Sequence, residues 1–547
     1  MKLAVLLTTS VLALAQTGPS NGSISGVVRD AAGGAPLENV VVSTYVNATW
    51  VNGTILTSKD TRQITNPTDR QGRYSLKDLP PGEYNVNARP DHGFFGEWRM
   101  VTLAPGQELT LDFAVQSPGT ISGRVIDDNK EPVPNMTVYL VTREYFQGAL
   151  RYFMKGAAQT DDRGNYSIGG VLAGSPYLIM TQKRVQKLAA ISEEPADIKL
   201  RRRAVASTFY PNSLSAEGGA PITLRSGERR EGVDIRVQRT PSYCVEGATA
   251  PAADVGITED QPSAGMSSTS GFFVMSPTAQ TAEDGKFRFC GLHPGLYRVA
   301  ARHISRESHA PAQFGATVFA ITDEDVRGLK ATLAPGMTLK GEFAWDGAAP
   351  EKPLEASATL SLSHLYSAPY MGEQLSARGD VPSEFTLKDV PLDEYAVRPF
   401  INSPGVYVKD VTYGGLSVLH TPLRLGSAIG DAGVKVTLAR DGGGAAVTVT
   451  EDNKPVGDAH AYIFPADAQT EAELQERIVS GSLDQNGNYQ TGLLLAPGKY
   501  YAIALRKPVD PSPESIGKLL RARIKAKEVE IAAGQATQVN LEPVSIE

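Results

Sequence analysis

The stretch 68-TDRQGRYSLKDLPPGEYNV-86 returns in variant form along the 547-residue chain, and its recurrence decides the fold. Two further copies are 160-TDDRGNYSIGGVLAGSPYLI-179 and 281-TAEDGKFRFCGLHPGLYRV-299. A fourth, weaker copy is 383-SEFTLKDVPLDEYAV-397, and a fifth is 484-DQNGNYQTGLLLAPGKYYAI-503. Enzymes seldom carry several copies of one active site, so a returning pattern indicates a unit of architecture.

Each copy combines turn signals with alternating strands. In the first copy, Asp69 and Gly72 predict a turn in which the aspartate accepts backbone N–H bonds and the glycine has φ > 0. Tyr74 and Leu76 then alternate with polar residues, and Pro81-Gly82 suits a type II turn. The sequence therefore predicts a β-hairpin whose residues serve turns and core. In the other copies the glycine of the first turn is Gly164, Gly285 or Gly487. The glycine of the second turn is Gly82 in the first copy and Gly174, Gly295 or Gly498 in the others.

The fourth copy lacks these glycines. Asp393 stands where the second glycine would be, and we expect it to adopt the left-handed conformation that Asp tolerates. Phe385 and Tyr395 keep the spacing of the two aromatics.

A strand with a central glycine precedes each of the first four copies. The four segments are 23-SISGVVRD-30, 120-TISGRVID-127, 243-YCVEGAT-249 and 338-TLKGEFAW-345. A glycine inside a strand often marks a bulge or a close backbone approach. Short strands at regular spacing, with turn signals between them, favour β-sandwiches over βαβ units.

We therefore predict an all-β chain, a tandem array of about five immunoglobulin-like sandwich domains. The predicted segments are a signal peptide at 1–15 and sandwiches at 16–117, 118–240, 241–335, 336–440 and 441–547. The second sandwich carries a basic insertion, 182–213, and the fourth is divergent. In the fifth, Pro513 and Glu514 predict the start of a short helix near the C-terminus.

The N-terminal segment MKLAVLLTTSVLALAQ predicts export. Lys2 precedes an apolar run at 3–14, and Ala13-Leu14-Ala15 is a small-residue cleavage site. This run is too short to span a membrane, and no other stretch reaches about 20 apolar residues. The net charge of −7, with both signs interspersed, gives no argument for nucleic acid binding. We expect a periplasmic, cell-surface or extracellular location.

Only two cysteines occur, Cys244 and Cys290, both within the third predicted sandwich. In an exported protein they favour one structural disulfide, with two buried free thiols as the alternative. Two cysteines without histidines at short spacing do not make a structural zinc site.

The copies resemble the carboxypeptidase regulatory-like domain, a transthyretin-like sandwich also grouped with starch-binding-like folds. The residues that carry the resemblance are Ile24-Ser25-Gly26, Ile121-Ser122-Gly123, and the patterns Thr-Asp-x-x-Gly-x-Tyr and Leu-Pro-Pro-Gly-x-Tyr. In the family's carboxypeptidases this domain is an appendage and not the catalytic unit. The resemblance implies a transthyretin-like fold and suggests carbohydrate as the ligand class.

Motifs for catalysis and metal binding are missing from the sequence. None of the seven histidines stands in His-x-x-Glu or His-Glu-x-x-His, and there is no phosphate-binding loop. Gly-x-Ser-x-Gly occurs once, at 18–22, but a predicted strand follows it, whereas the catalytic motif of this spelling leads into a helix. Asp484 and Asn486 resemble the start of a calcium loop, but a plain β-turn is the alternative because the other copies have one there. We predict no cofactor.

Sugar-binding proteins stack sugars on exposed aromatic rings, which makes four residues candidates: Trp50, Trp98, Tyr145 and Tyr152. The alternative is that these rings pack against the edge of a sandwich. The basic cluster Lys199, Arg201, Arg202 and Arg203 is either a solvated face or a grip for an acidic partner.

The sequence thus favours a non-enzymatic secreted or cell-surface protein that binds carbohydrate through its loops. A structural spacer or scaffold, or an accessory protein for a peptidase or transporter in the cell envelope, is the alternative. The partners we expect are a polysaccharide or an envelope protein, and no nucleic acid.

Overall fold

The structure is a computed structural model. It describes residues 20–51, 54–90, 96–182, 203–259, 278–280, 284–305, 311–347, 357–365, 375–402, 406–426, 432–457, 459–484, 486–492 and 494–546. The chain separates into two compact units, one ending at Val115 and the other beginning, apart from residues 51–54, at Gln116. The predicted signal peptide lies outside the described residues. Among the described residues, no helix has the length and apolar character needed to cross a membrane.

The all-β fold is confirmed: sandwiches of two sheets enclose the buried hydrophobic side chains. We number the five predicted sandwiches 1 to 5 in chain order; their number and their boundaries stay a prediction. Sandwich 1 consists of β1 (Gly22–Asp30), β2 (Val41–Val51), β3 (Thr54–Pro67), β4 (Arg73–Leu79), β5 (Gly82–Arg89), β6 (Glu97–Leu103), β7 (Glu108–Thr110) and β8 (Phe113–Val115).

One sheet of sandwich 1 has the order β4-β1-β7, with β8 also paired to β1, and the other has the order β3-β2-β5-β6. Strand β1 pairs antiparallel with β4 and parallel with β7 and β8. Ile24, Leu76, Val86 and Phe113 meet in the core between the sheets. Strand β1 therefore lies in the centre of its sheet, with an antiparallel neighbour on one side and parallel neighbours on the other.

Sandwich 2 repeats this plan. Its strands are β9 (Gly119–Ile126), β10 (Thr137–Phe146), β11 (Ala149–Gln159), β12 (Asn165–Val171), β13 (Leu178–Gln182), β14 (Arg203–Val205), β15 (Thr208–Phe209), β16 (Arg229–Arg230), β17 (Ile235–Arg236) and β18 (Arg239–Pro241). The sheets are β12-β9-β16, with β17 also on β9, and β11-β10-β13-β15; β14 pairs with β18. Most of the predicted basic insertion, residues 183–202, lies outside the described residues.

Sandwich 3 has sheets β22-β19-β25 and β21-β20-β23-β24-β26. Its strands are β19 (Tyr243–Ala250), β20 (Asp254–Glu259), β21 (Thr278–Gln280), β22 (Lys286–Leu292), β23 (Gly295–His303), β24 (Gln313–Ile321), β25 (Val326–Thr332) and β26 (Ala334–Pro335). Cys244 and Cys290 lie opposite each other on β19 and β22 and form the predicted disulfide.

Sandwich 4 has sheets β30-β27-β35-β32-β33 and β29-β28-β31-β34. Its strands are β27 (Met337–Trp345), β28 (Ser357–His364), β29 (Leu375–Asp380), β30 (Ser383–Val390), β31 (Glu394–Asn402), β32 (Tyr407–Tyr413), β33 (Leu416–Ser417), β34 (Leu423–Arg424) and β35 (Val434–Ala439). Despite the weak repeat, its buried core includes Phe343, Phe385 and Tyr395.

Sandwich 5 adds helices to the plan. Its elements are β36 (Gly444–Glu451), β37 (Lys454–Pro455), β38 (His460–Pro465), α1 (Glu471–Arg477), β39 (Val479–Ser482), β40 (Asn488–Gln490), β41 (Gly498–Leu505), α2 (Pro513–Arg521), a 3-10 turn (Ala522–Lys525), β42 (Lys527–Ile531), β43 (Ala536–Leu541) and β44 (Pro543–Val544). Helix α2 begins at Pro513 after an N-cap at Ser512, as predicted. Helix α1 was not predicted, although Thr470 and Glu473 form a capping box.

The predicted β-hairpin is wrong. Strand β4 pairs with β1 in one sheet, whereas β5 pairs with β2 and β6 in the other, so residues 80–81 cross from sheet to sheet. Alternation of buried and exposed residues is the same for a hairpin and for two strands that face each other across a core. Pro80 and Pro81 lack the N–H groups that a hairpin ladder needs, which favours the crossing.

The predicted Asp-x-x-Gly turn is present in the first copy. Asp69 Oδ1 accepts the N–H groups of Gln71 and Arg73, both at 2.9 Å, and Gly72 has φ 73°. Asp161 and Asp484 make the same bonds two and four residues on. Residues Gly164, Gly285 and Gly487 also have φ between 74° and 78°. These residues therefore build turns, including at the position considered for calcium.

The second turn differs from the prediction. Gly82 and Gly498 have φ 159° and 152°, far from the +80° of a type II turn, because each begins a strand. The crossing is fixed by tyrosine hydroxyls that donate to the carbonyl oxygen four residues upstream. These bonds join Tyr84 to Pro80, Tyr297 to His293, Tyr395 to Pro391 and Tyr500 to Ala496, at 2.5 to 2.9 Å. They resemble the tyrosine corner of other sandwiches.

Candidate functional site

The outer face of the β3-β2-β5-β6 sheet in sandwich 1 presents an exposed tryptophan beside asparagine and serine side chains, which makes it a candidate ligand-binding surface. Ser43 pairs with Asn87, and Asn87 pairs with Trp98, so the three form one row across β2, β5 and β6. Asn85 and Met100 form the neighbouring row on β5 and β6. Directly opposite side chains in a sheet lie about 5 Å apart, so the row is continuous.

Trp98 lies on strand β6, so the expectation that ligands bind through loops does not hold for this residue. The alternation along β6 turns its side chain toward solvent. Trp98 is 43% exposed and Met100 40%, whereas Arg99 and Leu103, which point to the other side, are 9% and 1% exposed. Asn85 and Asn87 are half-buried between their neighbours. The Trp98 ring is thus exposed on one face of the sheet, while the opposite face of the same sheet packs against the core of sandwich 1.

This arrangement suits a flat ligand with hydroxyl groups along its edge. The indole supplies an apolar face and one N–H donor, and each asparagine amide supplies two donors and an acceptor. We call Ser43, Asn85, Asn87, Trp98 and Met100 the Trp98 face.

The other predicted aromatics lie elsewhere. Trp50 is part of strand β2, but its side chain lies outside the described residues. Tyr152 packs its ring 6.5 Å from that of Phe209, and burial raises its pKa. Trp345 is 8% exposed and belongs to the core of sandwich 4.

Tyr145 makes a contact within the protein. Its hydroxyl donates to Glu471 Oε2 at 2.8 Å, and its backbone N–H donates to Gln475 Oε1 at 2.9 Å. Burial, followed by the bond to Glu471, raises the pKa of the Tyr145 hydroxyl. Tyr145 thus links sandwich 2 to helix α1 of sandwich 5, and does not stand as an open platform.

Only one residue of the predicted basic cluster is described. Arg203 donates to the carbonyl oxygen of Arg239, whereas Lys199, Arg201 and Arg202 lie outside the described residues.

The role of Asp393 is not apparent from the sequence. This residue does not have the positive φ expected of it; Asp389, four residues before, has φ 55°. Asp393 Oδ1 accepts from Arg298 of sandwich 3 at 3.1 Å, and Oδ2 lies 3.0 Å from His364 Nδ1. Its side chain is only 4% exposed. Asp393 therefore joins two sandwiches, which sequence spacing alone does not reveal.

Within the described residues, no three His, Cys, Asp or Glu side chains come together as metal ligands.

Residues 23–116 match the family model of the carboxypeptidase regulatory-like domain. The match covers sandwich 1, which contains the Trp98 face, and it confirms the resemblance seen in the first copy of the repeat. No curated protein matches the chain.

Solved structures that match the chain include bacterial pilins. The minor pilin GBS52 of Streptococcus agalactiae shares 14% identity over 40% of this chain and 97% of its own, with a TM-score of 0.22. The major pilin subunit BcpA of Bacillus cereus shares 11% over 58% and 100%, with a TM-score of 0.16. The shaft pilin SpaA of Lactobacillus rhamnosus GG shares 12% over 40% and 98%, with a TM-score of 0.19. Scores this low support no inference about what this chain does.

Proposed function

We propose that the protein is a non-enzymatic, exported binding protein that holds carbohydrate on the Trp98 face of its regulatory-like domain. The observation that carries this proposal is the position of Trp98, which is 43% exposed and in one row with Asn87 and Ser43. Sugar rings present C–H groups on one face and hydroxyl groups at the edge, which complements an indole flanked by amides.

We expect carbohydrate binding to depend both on the Trp98 ring and on the asparagine amides, and each contribution can be tested by its own substitution. Trp98→Ala removes the stacking surface, and Asn87→Ala removes donors and an acceptor without touching the ring. A pull-down of the full chain with insoluble polysaccharides, followed by a glycan array, gives the readout. Leu416→Ala is the control, because Leu416 is a large apolar residue, 74% exposed, in sandwich 4.

We expect Trp98→Ala and Asn87→Ala each to lower retention on the polysaccharide that the wild-type chain binds, while Leu416→Ala leaves retention unchanged. Equal retention of the wild-type chain and Trp98→Ala contradicts the proposal. So does a wild-type chain that binds no glycan in either assay.

A scaffold in the cell envelope is the second candidate function. It is favoured by the polar contacts that join neighbouring sandwiches: Arg298 to Asp393 between sandwiches 3 and 4, and Tyr407 to Asp441 at the start of sandwich 5. Complementation of a deletion strain separates the two roles. If the Trp98→Ala chain restores envelope resistance to detergent as well as the wild-type chain does, the scaffold role is favoured.

A further inference from the structure

Strands β10 and β11 extend beyond the sandwich to which they belong. Val138 and Leu140 on β10 and Ala158 on β11 contribute to the core of sandwich 2. The hairpin then continues past Val141 to a tight turn at Gln147 and Gly148, with φ 51° and 71°. We call residues 142–154 the arm.

The arm reaches helix α1 of sandwich 5 and bonds to successive side chains on it. In addition to the two bonds of Tyr145, the N–H of Gln147 donates to Glu476 Oε1 at 2.5 Å. These two N–H groups donate to side chains of α1 and not to another strand. Their protection from solvent exchange thus depends on the contact with the helix.

Two further contacts involve α2 and sandwich 4. Arg143 forms an ion pair with Glu514 in the first turn of α2. The guanidinium of Arg398, on β31 of sandwich 4, lies 5.1 Å from the centre of the Phe146 ring. The arm therefore contacts two sandwiches that are more than 200 residues away in sequence.

The core clusters of sandwich 2 and of the helical part of sandwich 5 contain no residue of the arm. Leu474 of α1 packs with Tyr462, Phe464 and Ile516 of its own sandwich. The arm contributes polar bonds, and Arg143 and Glu514 stay 30% and 58% exposed. The exposed pair of Arg143 and Glu514 contributes little net free energy, about 1 kcal/mol or less. The bond from the buried Gln147 to the charged Glu476 contributes more, about 1.5 to 3 kcal/mol.

We propose that the arm is a releasable strap: it holds sandwiches 2, 4 and 5 together, and it detaches from them while every sandwich stays folded. The proposal does not depend on carbohydrate binding. Two observations carry it: the bonds that join the arm to α1 and α2 are made by polar groups, and the core clusters of sandwiches 2 and 5 contain no residue of the arm. Segments with few buried apolar contacts open at lower free energy than cores do.

Hydrogen–deuterium exchange of the full chain, followed by mass spectrometry of peptides, tests the proposal. The tip of the arm is compared with β9 and β12 of the same sandwich in the wild-type chain, in Arg143→Glu, and in the charge-swapped Arg143→Glu/Glu514→Arg chain. The first variant places two carboxylates together, and the second restores an opposite pair. Both positions are partly exposed, so the sandwiches should still fold.

We expect the tip of the arm and α1 to exchange faster in Arg143→Glu than in the wild-type chain, with β9 and β12 unchanged, and the swapped chain to recover protection. Glu476→Gln keeps an oxygen for the Gln147 N–H and should stay protected, whereas Glu476→Lys should not. Two results would overturn the proposal: an arm that exchanges only together with β9 and β12, or no difference between Arg143→Glu and the wild-type chain.

Discussion

Gly26 lies directly opposite Tyr74 in the antiparallel pair of β1 and β4, and both contact the carbonyl group of Leu111. The Tyr74 hydroxyl donates to this oxygen at 2.6 Å. A Cβ atom on Gly26 would lie 1.9 Å from the same oxygen. The glycine thus leaves room for the final segment of the domain, and the tyrosine bonds that segment in place.

The same relationship recurs along the chain. Gly123 lies opposite Tyr166, whose hydroxyl donates to the Val233 oxygen at 2.6 Å. In sandwiches 3 and 4 the aromatic is a phenylalanine, opposite Gly247 and Gly341, and its ring occupies the space of the missing side chain. The glycine in the preceding strand and the aromatic after the turn therefore form one structural unit.

Replacing Gly26 by alanine should destabilise sandwich 1 by about 2 kcal/mol or more, because the new methyl group meets backbone that moves only at a cost in free energy. Calorimetry of the full chain measures the effect as a lower melting temperature for the first unit. Gly33→Ala is the matched control, since a Cβ there has no atom within 4 Å. Equal loss in both variants would contradict this account.

Tyr395→Phe should destabilise sandwich 4 by about 1 to 3 kcal/mol, because it leaves the buried oxygen of Pro391 without its 2.8 Å donor and changes little else. Tyr395 is fully buried. Urea denaturation followed by circular dichroism gives the free energy of unfolding. Tyr501→Phe, at a partly exposed ring, serves as the control and should change stability little. An unchanged midpoint for Tyr395→Phe means that the tyrosine corner does not stabilise the sandwich.

The turn aspartates should make stability depend on pH. Hydrogen bonds from the side chain and backbone of Asn165 hold the pKa of Asp161 below its usual value, and the N–H of Arg73 does so for Asp69. A carboxylate with a lowered pKa in the folded state stabilises the fold above its unfolded pKa, and that contribution is lost as pH falls through the folded pKa.

The melting temperature of Asp161→Asn should therefore fall less steeply than that of the wild-type chain as the pH drops below about 4. Melting temperatures at several pH values measure this. Asp162→Asn, at the exposed neighbouring residue, should keep the wild-type slope. If both variants follow the wild-type curve, the turn carboxylate does not contribute to the pH dependence.

The disulfide should stabilise sandwich 3 alone. Cys244 and Cys290 are 46 residues apart, and closing a loop of that length contributes up to about 4 kcal/mol by restricting the unfolded chain. The double change Cys244→Ser and Cys290→Ser should lower the transition of sandwich 3, and reductant should do the same to the wild-type chain. The first unit has no cysteine, so its transition gives an internal control. A reductant that lowers both transitions equally would contradict this prediction.

The sequence by itself determined where strands, turns and close approaches occur. Asp-x-x-Gly acts through neighbours two and four residues away, and a glycine inside a strand indicates a close approach whatever segment makes it, so both patterns could be interpreted without coordinates. The helix at Pro513 followed from the same local rules, and the capping box of Thr470 and Glu473 would have indicated the other helix.

Only the tertiary structure decided which strands pair and which side chains remain exposed. Alternation with period two does not distinguish a hairpin from a crossing between sheets, so β4 and β5 were wrongly joined. It also does not show that Tyr145 binds a helix 326 residues away, that Asp393 bonds another sandwich, or that Trp98 faces solvent. Such contacts depend on how distant segments pack, and that information is not present in any one stretch of the chain.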